Sequence, residues 1–306
     1  MNSINFAAID IGSNAVRLLI KSIVPGDSSD SFTKLLMVRV PLRLGQESFV
    51  SGKITGEKEK QLIRLMKAYK HLIKIYNVTD YRACATAAMR EAKNSGALVK
   101  EIRRETDLKI EIINGQEEAS IIYESHFGDN LSKDQNYVFV DVGGGSTELS
   151  VMVNGELSES KSYNIGTVRL LNDKVDTSEY ERLNYDLSEI KELYKINDII
   201  GSGGNIIKLN TLAKVRKNTK LTLQKLEELN DALKLLTVDE LITNYKLNPD
   251  RADVITFAAD IYIAVAKGVG ASHIIVPTIG LADGIIHMLY VKWKEKNKTT
   301  KPAVLV

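Results

Sequence analysis

The sequence has little cysteine, little histidine and almost no excess charge, and each shortage argues against a class of protein. Cys84 is the single cysteine among 306 residues, so no internal disulfide can form, which favours a reducing compartment. The four histidines share no ligand spacing, which argues against zinc. The net charge of +2 does not indicate a nucleic-acid partner. Because the sequence has neither a membrane-length apolar run nor a signal-peptide pattern, we expect a soluble cytoplasmic protein with no membrane partner.

One short phrase occurs twice in the chain: an apolar strand that ends in Asp-x-Gly and is followed by small polar residues. The first copy starts at Asp10 as Asp-Ile-Gly-Ser-Asn, and the second starts at Asp141 as Asp-Val-Gly-Gly-Gly-Ser-Thr. Each copy predicts a carboxylate at the end of a buried strand, beside a turn whose N–H groups no large side chain shields. Such turns bind phosphate, and such carboxylates hold Mg²⁺ near it. The repeat therefore predicts two similar α/β halves that face one polyphosphate-like ligand.

The residues after each turn continue as a strand. Val16 and Leu18 resume the apolar pattern in the first copy, and Leu149 and Val151 resume it in the second, which then reaches the hairpin signal Asn154-Gly155. A Walker loop or a Rossmann crossover would need a helix at this place, and the sequence contains neither GxxxxGK[ST] nor GxGxxG. Both of those nucleotide folds are therefore excluded.

Helical periodicity and capping residues place the helices later in each half. The expected helices are 57–77, one capped by Asn94 or Ser95 that ends near 107, one opening at Gly115, one opening with a capping box at Thr237, and those near 250–268 and 283–296. A chain of 306 residues is long enough for two cores. The polar stretch 128–136 is the expected boundary, which divides the chain into 1–128 and 129–306.

Several short motifs occur in a fixed order along nearly the whole chain. After the Asp10 motif come 85–92 (Ala-Thr-Ala-Ala-Met-Arg-Glu-Ala), 114–119 (Asn-Gly-Gln-Glu-Glu-Ala), 141–148, 166–170 (Gly-Thr-Val-Arg-Leu), 201–205 (Gly-Ser-Gly-Gly-Asn) and 251–255 (Arg-Ala-Asp-Val-Ile). In this set the chain resembles the exopolyphosphatase / guanosine pentaphosphate phosphatase (Ppx/GppA) family of the actin, sugar-kinase and chaperone-ATPase superfamily.

The resemblance implies two ribonuclease-H-like domains with an active-site cleft between them, in the short two-domain form of the family. It implies Mg²⁺-dependent release of terminal orthophosphate from polyphosphate, short rather than long, or from guanosine pentaphosphate. It also makes a homodimer reasonable. Two other functions stay open: an ATP-dependent phosphotransferase of the same superfamily, and a non-catalytic sensor of alarmone or polyphosphate.

Particular residues follow from these motifs. For Mg²⁺ the expected ligands are Asp141 and Glu148, with Asp10 as a further ligand or a turn-stabilising group. The family places the general base at Glu118, with Glu117 as the alternative, since neighbours on a helix point about 100° apart. Arg90 is expected to neutralise charge in catalysis, although a salt-bridge role is open for it, for Arg17 and for Arg251. The expected phosphate contacts are Ser13, Asn14, Arg17, Gly143, Gly144, Gly145, Ser146, Gly203, Gly204, Asn205 and Arg251.

Overall fold

The computed structural model describes residues 3–25, 31–123, 131–132, 134–216, 219–277 and 280–298. In this part of the chain the backbone forms a five-stranded and a six-stranded mixed β-sheet, with helices packed around both. The predicted α/β fold class is therefore confirmed. No helix within the described ranges combines the length and the apolar character needed to cross a membrane.

The first sheet opens with an antiparallel meander and continues with strands that run parallel to its first member. Its order is β3-β2-β1-β4-β5. Along β1 the apolar residues do not alternate with polar ones, because both faces of this central strand are buried. The elements are β1 (Ile4–Ile11), β2 (Val16–Ile23), β3 (Thr33–Val40), α1 (Leu44–Ser51), α2 (Gly56–Ile75), β4 (Asp80–Ala85), α3 (Ala87–Glu91), α4 (Ser95–Thr106), β5 (Ile110–Ile112) and α5 (Gly115–Tyr123).

The second sheet repeats this plan and adds one short strand at its edge. Its order is β10-β11-β9-β6-β7-β8. Its elements are β6 (Asn136–Val142), β7 (Thr147–Val153), β8 (Glu156–Tyr163), α6 (Thr167–Leu171), α7 (Thr177–Leu193), β9 (Ile196–Ser202), α8 (Gly204–Leu212), β10 (Leu221–Thr222), α9 (Leu223–Lys234), α10 (Val238–Tyr245), α11 (Pro249–Ala252), α12 (Ile255–Val269), β11 (His273–Ile275) and α13 (Leu281–Lys298).

With β10 set aside, the two sheets have one topology. Strands β6, β7, β8, β9 and β11 take the places of β1 to β5, so Asp10 and Asp141 both lie at the end of a central strand. The two similar halves predicted from the duplicated phrase are confirmed, and so is the ribonuclease-H-like fold class that the resemblance implied. This topology brings the two Asp-x-Gly turns to facing edges of the two sheets.

The last helix packs on the first sheet. Ile285, Ile286 and Tyr290 of α13 are buried in one cluster with Phe6 and Cys84. Cys84 thus has the core position expected from its sequence context. The expected boundary at 128–136 lies partly outside the described residues, and the division at 128/129 stays a prediction.

The helix expected near 250–268 is wrong in one respect, because the structure divides it into α11 and α12. The backbone at Val254 leaves helical geometry, with φ −126° and ψ −7°. The Asp253 carboxylate beside this break lies 2.6 Å from Nη1 of Arg43 in the first half. An ion pair between the two halves therefore accompanies a break that helical periodicity does not show.

Candidate active site

The two Asp-x-Gly turns have the same internal geometry. Gly12 N–H donates to the Ala15 carbonyl at 3.1 Å, and Gly143 N–H donates to the Ser146 carbonyl at 2.9 Å. The turns also touch, since a Cβ atom placed on Gly144 would lie 3.2 Å from the backbone nitrogen of Asn14. The pair of turns therefore forms the floor of one cleft between the halves.

Backbone N–H groups at the start of α1 donate hydrogen bonds to carbonyl groups of the first turn. Gly45 N–H donates to the Ser13 carbonyl and Arg43 N–H donates to the Asn14 carbonyl, each at 2.9 Å. The C=O and N–H of a trans peptide point in opposite directions. These two bonds therefore direct the N–H groups of Asn14 and Ala15 away from α1, and both residues line the cleft.

The second turn is held in the same way by the start of α6. Thr167 N–H donates to the Gly143 carbonyl at 3.0 Å, and Val168 N–H donates to the Gly144 carbonyl at 2.8 Å. Within the described ranges, the N–H groups of Gly144 and Gly145 have no hydrogen-bond acceptor. Successive unpaired N–H groups in a small-residue turn bind anions. The two turns are thus built to hold a phosphoryl group.

Three carboxylates meet beside these turns. Oxygen atoms of Glu118 on α5, Asp141 on β6 and Glu148 on β7 all lie within 4.8 Å of one another. Glu118 and Glu148 are buried, and Asp141 is half-buried. Asp141 accepts a hydrogen bond from Ser202 at 2.7 Å. Glu148 accepts a hydrogen bond from Ser162 at 2.9 Å, and Arg90 forms an ion pair with Glu118.

Burial raises the pKa of each carboxyl in this cluster. It raises the pKa of Glu148 to about 7, with the nearby Asp141 charge as the next cause. It also raises the pKa of Glu118, to which the Glu148 charge adds, and that of Asp141. The Oε2 atom of Glu148 is buried and has no partner in the described part of the chain. Oxygen-only ligands with an orphaned buried oxygen fit a hard cation such as Mg²⁺.

Asp10, the third expected metal ligand, has a different neighbour. Its Oδ2 atom accepts a hydrogen bond from Nη1 of Arg17 at 2.9 Å, across the β1–β2 pair. Among the described residues it is not part of the three-carboxylate cluster. A role for Asp10 in metal binding stays a prediction.

Arginine side chains collect at another side of the same cleft. A Cβ atom placed on Gly204 would lie 3.0 Å from Nη2 of Arg251 and 3.6 Å from Nη2 of Arg17. Burial, followed by the charges of Arg39 and Arg17, lowers the pKa of Arg251 to about 10. Its Nε is buried without a partner, and no carboxylate of the described ranges forms an ion pair with it. A half-buried cation among like charges favours an anionic ligand.

The two neighbouring glutamates of α5 point in different directions. Glu118 is 7% exposed and its Oε2 lies 3.4 Å from Nη1 of Arg90. Arg90 also donates to the Ile113 carbonyl at 2.8 Å, which holds it against the cluster. Glu117 instead forms an ion pair of 2.5 Å with Arg82, and its side chain is 42% exposed. The geometry therefore favours Glu118 over Glu117 as a group that acts in the cleft.

The structure brings the expected site residues together. Those that line the cleft are Asp10, Ser13, Asn14, Arg17, Glu118, Asp141, Gly143, Gly144, Gly145, Ser146, Gly203, Gly204, Asn205 and Arg251. Glu148 borders a smaller cavity next to Asp141, and Arg90 lies behind Glu118.

Four residues of the site had no role in the sequence analysis. Thr86 and Thr167 line the cleft, and Thr167 Oγ1 is buried without a partner among the described residues. Arg39 lies opposite Arg17 in the β2–β3 register, so only strand pairing could have found it. Arg169 binds the second turn by its side chain. Its presence within the 166–170 motif was the one available signal.

Comparisons with known proteins agree with this architecture. A model of the Ppx/GppA phosphatase family matches residues 19–292. The guanosine-5′-triphosphate,3′-diphosphate pyrophosphatase of Aeromonas hydrophila is 28% identical over 305 residues, covering 94% of this chain and 60% of that protein. The bifunctional 3-dehydroquinate synthase/phosphatase of Fusobacterium nucleatum is 29% identical over 294 residues, covering 88% and 44%. Exopolyphosphatase 1 of Mycobacterium leprae is 29% identical over 165 residues, covering 53% and 47%. The chain spans about half the length of these curated relatives.

Solved structures share the fold over almost the full chain. The crystal structure of the Aquifex aeolicus Ppx/GppA family member aligns with a TM-score of 0.76 at 26% identity, covering 95% of this chain and 99% of that one. An exopolyphosphatase from Cytophaga hutchinsonii aligns with a TM-score of 0.82 at 23% identity, covering 95% and 98%, which supports the fold alone.

Proposed function

Because the chain belongs to the Ppx/GppA phosphatase family, we propose that it is a Mg²⁺-dependent hydrolase that releases terminal orthophosphate from short polyphosphate or guanosine pentaphosphate. One observation carries the proposal: a single cleft brings together a carboxylate cluster that could hold a cation, two turns with unpaired N–H groups, and a half-buried group of arginines. A ligand that satisfies all three must carry several phosphates in a row. The names of the Aeromonas and Mycobacterium relatives agree with such substrates.

Asp141 and Glu148 would hold the Mg²⁺, and Glu118 lies close enough to share it. When bound, the cation supplies neutralisation of phosphate charge. It would also lower the pKa of the surrounding carboxyl groups and keep them ionised at neutral pH.

The chain's own groups would bind and orient the reactants. The N–H groups of Asn14, Gly144 and Gly145 would contact the terminal phosphoryl oxygens, over which charge spreads in the transition state. Arg17 and Arg251 would bind the remaining phosphates through charge-assisted hydrogen bonds.

Glu118 is the proposed general base. It would orient a water molecule and accept its proton while the water oxygen bonds to phosphorus and the P–O anhydride bond breaks. The leaving phosphate would keep that bond's electron pair and remain beside the arginines until release. Arg90 would hold the Glu118 carboxylate in position, because it is itself fixed by the Ile113 carbonyl.

The first experiment measures phosphate release from tripolyphosphate, long polyphosphate, guanosine pentaphosphate and ATP, each with Mg²⁺ and with EDTA. We expect Mg²⁺-dependent release from tripolyphosphate or guanosine pentaphosphate without any acceptor. Transfer from ATP only after an acceptor is added would favour a phosphotransferase instead. Tight binding of tripolyphosphate with no release would favour a sensor.

The second experiment compares Glu118→Gln with Glu117→Gln. We expect Glu118→Gln to lower kcat by about 10²- to 10⁴-fold, the range for a positioned acid or base. Glu117→Gln should keep nearly full turnover, because Glu117 pairs with Arg82 outside the cleft. Full turnover in Glu118→Gln would exclude Glu118 as the general base.

From the family we also predict that the protein forms a homodimer and lies in the cytoplasm. Light scattering on the purified chain tests the first of these directly.

A further inference from the structure

Arg169 contacts three parts of the candidate active site at once. Its Nε atom donates to the Gly145 carbonyl at 2.5 Å, and its guanidinium lies 4.0 Å from the ring centroid of Phe49. Its Nη2 atom forms an ion pair with Glu91. Arg169 and Gly145 belong to the second half of the molecule, while Phe49 and Glu91 belong to α1 and α3 of the first. The Arg169 side chain is only 8% exposed.

The bond to the Gly145 carbonyl completes the orientation of the second turn. Backbone N–H groups of α6 hold the Gly143 and Gly144 carbonyls, but the third carbonyl is held only by this arginine side chain among the described residues. When a carbonyl of the turn points toward Arg169, the N–H of the next residue points the opposite way, into the cleft, because the two groups of a trans peptide point in opposite directions. For the Gly145 carbonyl, that next residue is Ser146, which lines the cleft.

The ion pair with Glu91 connects Arg169 to the side of the cleft where the proposed general base lies. Glu91 directly follows Arg90 on α3, and Arg90 donates to Oε2 of Glu118 at 3.4 Å. Arg169 is therefore bonded both to the turn that would bind phosphate and to the helix that carries the arginine beside the proposed base. These two elements come from different halves of the chain.

We propose that Arg169 is a positioning residue for phosphoryl transfer in this cleft: it sets the Ser146 N–H against the terminal phosphoryl group and, through Glu91, fixes α3 and Arg90. The inference rests on the proposed hydrolase function. A planar guanidinium stacks on an aromatic face while donating from separate nitrogens, and an ammonium group cannot do both. Lysine at this position would keep the charge but lose the carbonyl bond.

The test measures kcat and KM for tripolyphosphate with Mg²⁺ in Arg169→Gln, Arg169→Lys and Glu91→Gln, with Arg104→Gln as the matched control. Arg104 pairs with glutamates on the exposed face of α4 and does not line the cleft. We expect Arg169→Gln to lower kcat by about 10²-fold, the cost of displacing reacting groups by about 1 Å. KM should change by less than about threefold, because the arginines that would hold the other phosphates are untouched.

The lysine variant separates positioning from simple bracing of the two halves. Under our proposal Arg169→Lys loses nearly as much kcat as Arg169→Gln, and the double variant Arg169→Gln/Glu91→Gln loses no more than Arg169→Gln alone. Circular dichroism and melting curves ensure that each variant is assayed well below its Tm. Should Arg169→Gln not fold, Arg169→Lys and Glu91→Gln decide the question by the same kcat and KM measurement.

Two results would overturn the inference. Full rescue of kcat by lysine would show that the charge alone matters, and a rise in KM with kcat unchanged would show a binding role. If the unaltered protein releases no phosphate from any substrate, the proposed function fails and this inference falls with it. Wild-type turnover accompanied by unchanged kcat in Arg169→Gln would overturn this inference alone.

Discussion

Asp141 and Glu148 lie directly opposite each other on adjacent antiparallel strands, although both are carboxylates. At the equivalent places of the first half, Asp10 lies opposite Arg17, and these two form an ion pair of 2.9 Å. Like charges opposite each other destabilise a sheet, whereas opposite charges stabilise it. The first half therefore supplies its own cation, while the facing carboxylates of the second half belong to a cluster that could hold a metal ion.

Removal of metal should make the stability of the protein fall as the pH rises. Burial raises the pKa of Glu148 from 4.5 to about 7. Because the folded pKa exceeds the unfolded one, this contribution is fully present below about pH 4.5 and is lost as the pH rises through about 7, at about 1.4 kcal/mol for each unit of pKa difference. In EDTA we expect Tm to decline over this range, and Mg²⁺ should restore it. A flat Tm in EDTA would contradict the prediction.

Substitution of Glu148 by glutamine should stabilise the metal-free protein at alkaline pH and abolish its response to Mg²⁺. The neutral amide removes one of the clustered charges, which we expect to raise the free energy of unfolding by about 1–3 kcal/mol. Phosphate release should fall by at least about 10²-fold. Melting curves with and without Mg²⁺ test this, and Glu156→Gln on the exposed start of β8 is the control. Mg²⁺ stabilisation that survives in Glu148→Gln would count against the metal site.

Substitution of Arg251 by glutamine should weaken substrate binding while stabilising the free protein. A charge-assisted hydrogen bond contributes about 1.5–3 kcal/mol, so KM should rise by roughly 10- to 100-fold. The free protein should gain stability, because burial and the neighbouring Arg39 and Arg17 charges already lower the pKa of Arg251 to about 10. Kinetics and melting curves are measured on one preparation, with Arg103→Gln on α4 as the control. An unchanged KM would exclude Arg251 from substrate binding.

Substitution of Gly203 by alanine should damage the cluster through backbone and packing. Gly203 has φ +89°, and a Cβ atom there would lie 2.6 Å from Oδ1 of Asp141. We expect a loss of about 1–3 kcal/mol in the free energy of unfolding and a weaker response to Mg²⁺. Gly96→Ala is the matched control: nothing lies within 4 Å of its Cβ position in α4, so alanine should stabilise by about 0.5–1 kcal/mol. Equal behaviour of the two variants would contradict this reading of Gly203.

Features that depend on neighbouring residues in the chain were predictable. The hairpin signal Asn154-Gly155 is a turn with φ of +52° and +81°, the left-handed geometry that this dipeptide favours. The capping box at Thr237 is present, with reciprocal bonds between Thr237 and Glu240. These signals are local, because the hydrogen bonds that satisfy them join residues a few positions apart.

Features that depend on contacts between distant residues were not predictable in this way. The break at Val254 has no helix-breaking residue and lies beside an ion pair to Arg43. The site role of Arg39 depends on its register against Arg17, which the sequence alone does not show. Glu118 lies beside Asp141 and Glu148 because α5 packs against the second sheet, and that contact is between segments distant in the sequence.

The sequence by itself determined the duplicated Asp-x-Gly turns and the residue types available to bind phosphate, because each is encoded by short-range pattern. The tertiary structure decided which charges are neighbours. It paired Asp10 with Arg17 and placed Asp141 and Glu148 beside Glu118, which pairs with Arg90. The physical reason is that the energy of a charge depends on its burial and on its nearest partners, and both are set by strand pairing and packing between residues that are distant in the sequence.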